Sequence, residues 1–165
     1  MSHTVTITRT TATTSGTAVF VNTGYFGTLP GLLKLAQLIL GAACVGVVGY
    51  YMNHTPSISR SAEFFYILVA VAFLIGTFCL IAACLASFAS SSMLSKTVYE
   101  VIYHGLACIM YLAAGLTLLI EVNHGKKYQY RNTYDPYLAA SIMGLVMAAL
   151  YLLSTFFANR TYRGI

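Results

Sequence analysis

The stretch EFFYILVAVAFLIGTFCLIAACLAS at residues 63–87 decides the class of fold, because it contains no charged residue after Glu63. About 20 consecutive apolar residues are enough for a helix to cross the hydrocarbon core of a bilayer. Similar apolar runs occur at residues 29–52, 98–122 and 137–158. We therefore predict an all-α membrane protein with four transmembrane helices in an antiparallel bundle.

The overall composition supports a membrane environment. The chain of 165 residues is 58% hydrophobic and 8% charged, whereas about 25% of the residues in ordinary soluble domains are charged. A domain of this size has too little interior to hide so much apolar surface from water, so the solvent must be lipid. The formal net charge is +5, but no basic run is dense enough to bind nucleic acid, and we expect the excess charge to face the membrane surface.

Both ends of the chain lie outside the four apolar runs. Residues 1–28 are threonine-rich and contain no apolar run of the signal-peptide kind, so we expect a disordered segment there. Residues 159–165 are expected to form a short tail. Four spans place both ends on one side of the membrane, and a count of five Lys and Arg residues on that side against four on the other slightly favours cytosolic termini. The five are Arg9, Lys34, Lys96, Arg160 and Arg163, and the four are Arg60, Lys126, Lys127 and Arg131.

Small residues at a four-residue spacing occur in three of the spans. In lipid, such residues let helix backbones approach closely, because helix association there depends on close packing rather than on the hydrophobic effect. We expect them to pack the helices within one bundle, with a homo-oligomer interface as the alternative. Gln37, about two turns into the first span, is expected to join this packing by hydrogen bonding across the bundle. The small residues are Ala42, Gly46, Ala72, Gly76, Ala140, Gly144 and Ala148.

The third span opens with a polar ladder. The stretch YEVIYHGLA at residues 99–107 places Glu100 and His104 four residues apart on one helix face, and Lys96 precedes them by the same spacing. We interpret the three residues as an interfacial ladder that orients the third helix, with Lys96 among the lipid headgroups. A transport or channel role for Glu100 and His104 is the alternative, because ionisable residues deep in a span commonly mark an ion path.

The remaining reactive residues predict no catalytic, cofactor-binding or metal-binding site. Haem between membrane helices would need histidines on facing helices, and His104 is the only histidine within a predicted span. The four cysteines all lie within spans, and no CxxC motif suggests a thiol oxidoreductase. Cys84, near the inner end of its span, is the candidate for palmitoylation, against the simpler interpretation as a buried small apolar side chain.

With these residues placed, the chain resembles the MARVEL-domain proteins, the group that includes MAL, plasmolipin and the chemokine-like-factor proteins. The resemblance is carried by LPGLLKLAQLILG at 29–41, EFFYILVAVAFLI at 63–75, VYEVIYHGLACIMYLAAGL at 98–116 and ALYLLSTFFANR at 149–160. Glu100 and His104 match polar positions that such proteins carry at the start of the third span. Claudins and tetraspanins fit less well, because the chain lacks their large outer loops and the cysteine motifs within them.

The resemblance implies a four-span MARVEL-like domain at residues 29–158 with both termini in the cytosol. It implies a non-enzymatic role in organising membrane microdomains, vesicle trafficking or partner membrane proteins, through lateral contacts with helices and lipids. The expected partners are membrane lipids and other membrane proteins, and the expected location is the plasma membrane or endosomal and secretory vesicles.

Overall fold

The computed structural model describes residues 26–54, 60–86, 98–125 and 131–164, which contain four long helices. In chain order these are α1 (Leu29–His54), α2 (Arg60–Ala86), α3 (Val98–Gly125) and α4 (Arg131–Arg163). Each is long and apolar enough to cross a membrane. The predicted all-α, four-span fold is therefore confirmed.

The helices continue beyond the predicted spans at several points. Thr28, placed in the disordered segment by the sequence, caps α1: its Oγ1 accepts a hydrogen bond from the Gly31 amide at 3.3 Å. In the predicted short tail at 159–165, α4 continues to Arg163 and ends at Gly164, whose φ of 71° is typical of a helix C-cap. The rest of the predicted disordered segment, residues 1–25, lies outside the described residues.

The four helices form a ring in which each packs against its neighbours in chain order and α4 closes the ring against α1. The most extensive contact joins α3 to α4. Lys34 near the start of α1 meets Glu100 near the start of α3, while Gln37 meets Ser154 near the end of α4. The helices therefore run antiparallel, and the starts of α1 and α3 share one end of the bundle with the end of α4. We call this the terminal end.

The bundle buries several polar and charged side chains within its apolar core and exposes large apolar side chains outside. Lys34, Glu63 and Glu100 are buried, whereas large apolar side chains face outwards, as at Leu68, which is 70% exposed. Exposed apolar faces on every helix would be costly in water but suit a lipid surrounding. The distribution of side chains thus agrees with four membrane-spanning helices.

Two glycines admit tyrosines from other helices into the bundle core. A Cβ on Gly144 of α4 would lie 2.7 Å from the Tyr66 ring of α2, and one on Gly76 of α2 would lie 2.6 Å from the Tyr103 hydroxyl of α3. The Tyr66 hydroxyl donates a hydrogen bond to the Ala140 carbonyl at 2.5 Å. The absence of a side chain at each glycine therefore makes room for a tyrosine that joins two helices.

The small residues of α4 and those of α1 face in different directions. Ala140, Gly144 and Ala148 are buried. Ala42 and Gly46, in contrast, lie on the exposed side of α1, and a Cβ on Gly46 would meet nothing within 4 Å.

Ala72 of α2 is exposed in the same way. The prediction that Ala42, Gly46 and Ala72 pack inside the bundle is therefore wrong. The physical reason is that a four-residue spacing places small residues on one helix face but does not determine which way that face points.

Candidate functional site: a buried polar cluster at the terminal end

Five polar side chains from three helices meet inside the terminal end of the bundle. All five are buried, and we call them the polar cluster. Polar groups removed from both water and headgroups are costly unless they bond to one another. The contacts within the cluster therefore decide what it does. Its members are Lys34 and Gln37 of α1, Glu100 and His104 of α3, and Ser154 of α4.

An ion pair lies at the centre of the polar cluster. The Lys34 ammonium donates a hydrogen bond to Oε1 of Glu100, and the two residues are 3% and 4% exposed. This pair crosses the diagonal of the bundle from α1 to α3. Removing one partner of a buried ion pair leaves the other charge uncompensated, which typically costs about 3–5 kcal/mol. The pair therefore fixes the position of α1 relative to α3.

His104 lies beside the ion pair without completing it. Its Nε2 is 3.6 Å from Oε1 of Glu100, too far for a normal hydrogen bond. Neither ring nitrogen has a hydrogen-bond partner among the described residues. The ring packs instead against Tyr103 and Tyr151, with centroids 5.2 and 5.7 Å away. His104 is thus held mainly by aromatic contacts.

Gln37 connects α1 to α4. Its Nε2 donates to Oγ of Ser154 at 2.8 Å and to the Leu150 carbonyl at 3.2 Å. The Gln37 amide therefore bonds across the bundle to one side chain and to one backbone carbonyl of α4. Together with the ion pair, it ties α1 to two other helices at the terminal end.

A hydroxyl cluster continues the polar interior towards the middle of the membrane. Thr77 Oγ1 lies 2.7 Å from the Tyr151 hydroxyl and 3.1 Å from the Tyr103 hydroxyl. Tyr103 in turn donates to the Phe73 carbonyl of α2 at 3.0 Å. The Tyr151 ring stacks on Tyr111, with centroids 5.5 Å apart. Three helices, α2, α3 and α4, are joined here by groups that satisfy one another.

The geometry changes the interpretation of the sequence ladder. Glu100 and His104 are buried inside the bundle, and the partner of Glu100 is Lys34 of α1. Lys96 lies outside the described residues. The placement of the ladder at the membrane interface stays a prediction, but the compensating charge comes from a cation on α1 that the sequence did not identify.

The sequence contained a signal for Lys34 that charge counting missed. The buried side chains of α1 recur at three- and four-residue spacing, and Lys34 and Gln37 belong to this stripe. Such a stripe is the face that a helix presents to its neighbours. Lys34 lies three residues before Gln37, the residue expected to bond across the bundle, so its position alone places it on the same helix face as Gln37. The stripe consists of Gly31, Lys34, Gln37, Gly41, Cys44 and Val48.

The described residues offer little for covalent or metal chemistry. Among them, no group of three or more His, Cys, Asp and Glu side chains could hold a metal ion. Cys84 is 2% exposed, so its thiol faces the core and away from any acyl donor. This placement supports the alternative interpretation of Cys84 as a small apolar core residue rather than a palmitoylation site.

These features define a class: a four-span helical membrane protein with an internally bonded polar core and a lipid-facing apolar surface. The chain matches the family model of the MARVEL domain, described as a membrane-associating domain, over residues 25–157. It belongs to the MARVEL family. The matched region contains every member of the polar cluster, so the cluster lies within the domain itself. Comparisons with curated proteins and with solved structures found no match.

Proposed function

We propose that this MARVEL-domain protein acts without catalysis, organising membrane microdomains, vesicle trafficking or partner membrane proteins through its outer surface. The observation that carries the proposal is the difference between the inward-facing and the outward-facing sides of the helices. Inside, Lys34 with Glu100 and Gln37 with Ser154 are engaged in contacts between helices. Outside, every helix presents large apolar side chains that only lipid or another membrane protein would cover.

The proposal includes cytosolic termini at the plasma membrane or at endosomal and secretory vesicles. Family membership is its main support. The count of five Lys and Arg residues on the terminal side against four on the other adds a slight preference.

Proximity labelling in native membranes tests the role of the outer surface. A labelling enzyme would be fused to the C-terminus, and the labelled neighbours of wild type compared with those of four single variants. Each variant changes an exposed residue on a different helix and leaves the polar cluster untouched. A partner that docks on one face should disappear from one variant and persist in the other three, which serve as matched controls. The variants are Ile39→Ala, Leu68→Ala, Ile109→Ala and Phe156→Ala.

The outcome that contradicts the proposal is a set of neighbours that is the same in all four variants and in an unrelated four-span protein. Such a result would show that the outer surface selects nothing. Expression levels measured in parallel would confirm that each variant is inserted to the same extent.

A second candidate function, proton transport, is favoured by one observation. His104 is buried, adjoins a charged pair and has no hydrogen-bond partner on its ring nitrogens among the described residues. The test is reconstitution in liposomes with an internal pH-sensitive dye, comparing wild type with His104→Gln. A wild-type proton flux that vanishes in the variant would favour transport, whereas equal traces at the level of empty liposomes would exclude it.

A further inference from the structure

An apolar groove lies on the outer surface of the terminal end, between α3 and α4. Its volume is about 630 Å³, within the range of about 300–1,000 Å³ typical of small-molecule sites. Val101 forms the α3 side, and the α4 side runs from Leu152 to Asn159. The seven steps from Leu152 to Asn159 correspond to about 10 Å at 1.5 Å per residue, which is a large part of one leaflet of a bilayer about 30 Å thick.

The lining of the groove changes from apolar to polar along α4. Leu152, Leu153 and Phe156 are exposed to the surroundings rather than covered by other helices. Asn159 follows at the end nearest the C-terminus of α4. A groove that is apolar at depth and polar at its outer end matches a molecule with a hydrocarbon chain and a polar head.

Positive charge stands beyond the polar end of the groove. Arg160 and Arg163 lie in the last turn of α4, and Arg163 follows Phe156 and Asn159 at spacings that place all three on one helix face. Among the described residues, Glu100 is the acidic side chain at the terminal end, and it is buried and paired with Lys34. The charge around the groove therefore favours an anion, against the weaker negative potential of the helix C-terminus itself.

We propose that this α3–α4 groove binds a glycerophospholipid with an anionic headgroup. One acyl chain lies along Leu152, Leu153 and Phe156, and the headgroup lies at Asn159 and Arg163. The inference rests on the proposed function, because it names the lipid class that the outer surface selects at the terminal end. A zwitterionic phospholipid would fill the groove equally well, but the ammonium of its headgroup offsets its phosphate, so it would gain less from Arg163, and a sterol would offer Arg163 no anionic group.

The test uses the purified full-length chain in phosphatidylcholine vesicles, so that no partner protein contributes. Three sets of vesicles contain a trace of photoactivatable phosphatidylserine, phosphatidylcholine or cholesterol, and the cross-linked peptides are identified by mass spectrometry. Phosphatidylserine should label residues 149–160 more than phosphatidylcholine does. Arg163→Gln should lower that preference about fivefold, the effect of about 1 kcal/mol for one arginine at an anionic surface. Arg60→Gln, an exposed arginine at the other end of the bundle, should leave it unchanged.

A second pair of variants tests the apolar part of the groove. Val101→Phe adds bulk to the groove and should reduce labelling by both phospholipids, whereas Ile102→Phe adds similar bulk on an exposed face outside the groove lining and should not. Equal labelling of wild type by phosphatidylserine and phosphatidylcholine would overturn the proposal, as would stronger labelling of the groove by cholesterol. The wild-type comparison requires no variant to fold. Because partner proteins are absent, its failure leaves the proximity-labelling test of the proposed function unaffected.

Discussion

Breaking the buried ion pair one partner at a time should destabilise the bundle more than removing both partners together. Glu100→Leu removes the carboxylate and leaves the Lys34 ammonium in a site that is 3% exposed. Lys34→Met leaves the carboxylate buried next to His104. The double variant Lys34→Met/Glu100→Leu replaces both charged groups with apolar side chains of similar length.

The expected magnitudes follow from the burial of both groups and from the position of Lys34 near the start of α1. Leaving one charge unpaired in a protein interior costs about 3–5 kcal/mol, whereas replacing the whole pair with apolar side chains is often neutral or stabilising by about 1–4 kcal/mol. We expect Glu100→Leu to fall at the lower limit, about 3 kcal/mol, because the long lysine side chain near the start of α1 can extend towards the headgroups while the bundle remains folded. Lys34→Met should cost less than Glu100→Leu, because His104 lies 3.6 Å from the stranded carboxylate and could be protonated to compensate it.

Unfolding in mixed micelles by titration with a denaturing detergent measures the four free energies of this double-mutant cycle. Cys44 is fully buried, so its reaction with a thiol-reactive dye reports opening of the bundle when the other three cysteines are replaced by serine. Arg60→Gln, which removes an exposed charge, serves as the control. If the effects of the two single variants simply add up in the double variant, the two residues do not interact and the assignment of the ion pair is wrong.

Three further predictions concern packing, modification and topology. Gly144→Ala should lower the melting temperature in detergent, because its Cβ would lie 2.7 Å from the Tyr66 ring, and the overpacking should cost about 1–3 kcal/mol. Gly46→Ala is the control and should not lower it, because a Cβ there would meet nothing within 4 Å. Equal melting temperatures for the two variants would contradict the packing of Tyr66 against Gly144. Cys84→Ser should leave the pattern of acyl-dependent mass tagging unchanged because the thiol is buried, so a lost tag would show that Cys84 is acylated. Epitope tags at both ends should resist protease in intact cells and be digested only after permeabilisation, and digestion in sealed cells would refute cytosolic termini.

The fold was predictable because lipid leaves the backbone few choices. Hydrocarbon offers no hydrogen bonds, so an apolar run of sufficient length must form a helix whose backbone groups bond internally. The direction in which each helix face points was less predictable, as the exposed Ala42 and Gly46 show. Spacing defines a face, but only the positions of the other three helices determine whether that face meets protein or lipid.

The contacts of the polar cluster within one helix were predictable, but those between helices were not. Glu100 and His104 were recognised as a pair because they are four residues apart in one helix. Lys34 was missed because 66 positions separate it from Glu100, and charge counting assigned it to the membrane surface. The tyrosines that enter beside Gly76 and Gly144 were missed as well, since nothing in an isolated helix shows that a glycine makes room for a side chain from another helix.

The buried polar contacts and the apolar exterior of this bundle have a common physical cause. Between helices in lipid there is no hydrophobic driving force, because the surrounding chains are as apolar as leucine. Apolar faces alone would therefore not determine which helices are neighbours. The ion pair, the Gln37 amide and the tyrosine hydroxyls determine it, because they bond only in one arrangement of the helices. Once the interior fixes the arrangement, the exposed faces are not needed for folding and are available to select lipids or partner proteins. Interior substitutions should then act mainly on stability and abundance, while exposed substitutions should change the neighbours of a bundle that remains folded.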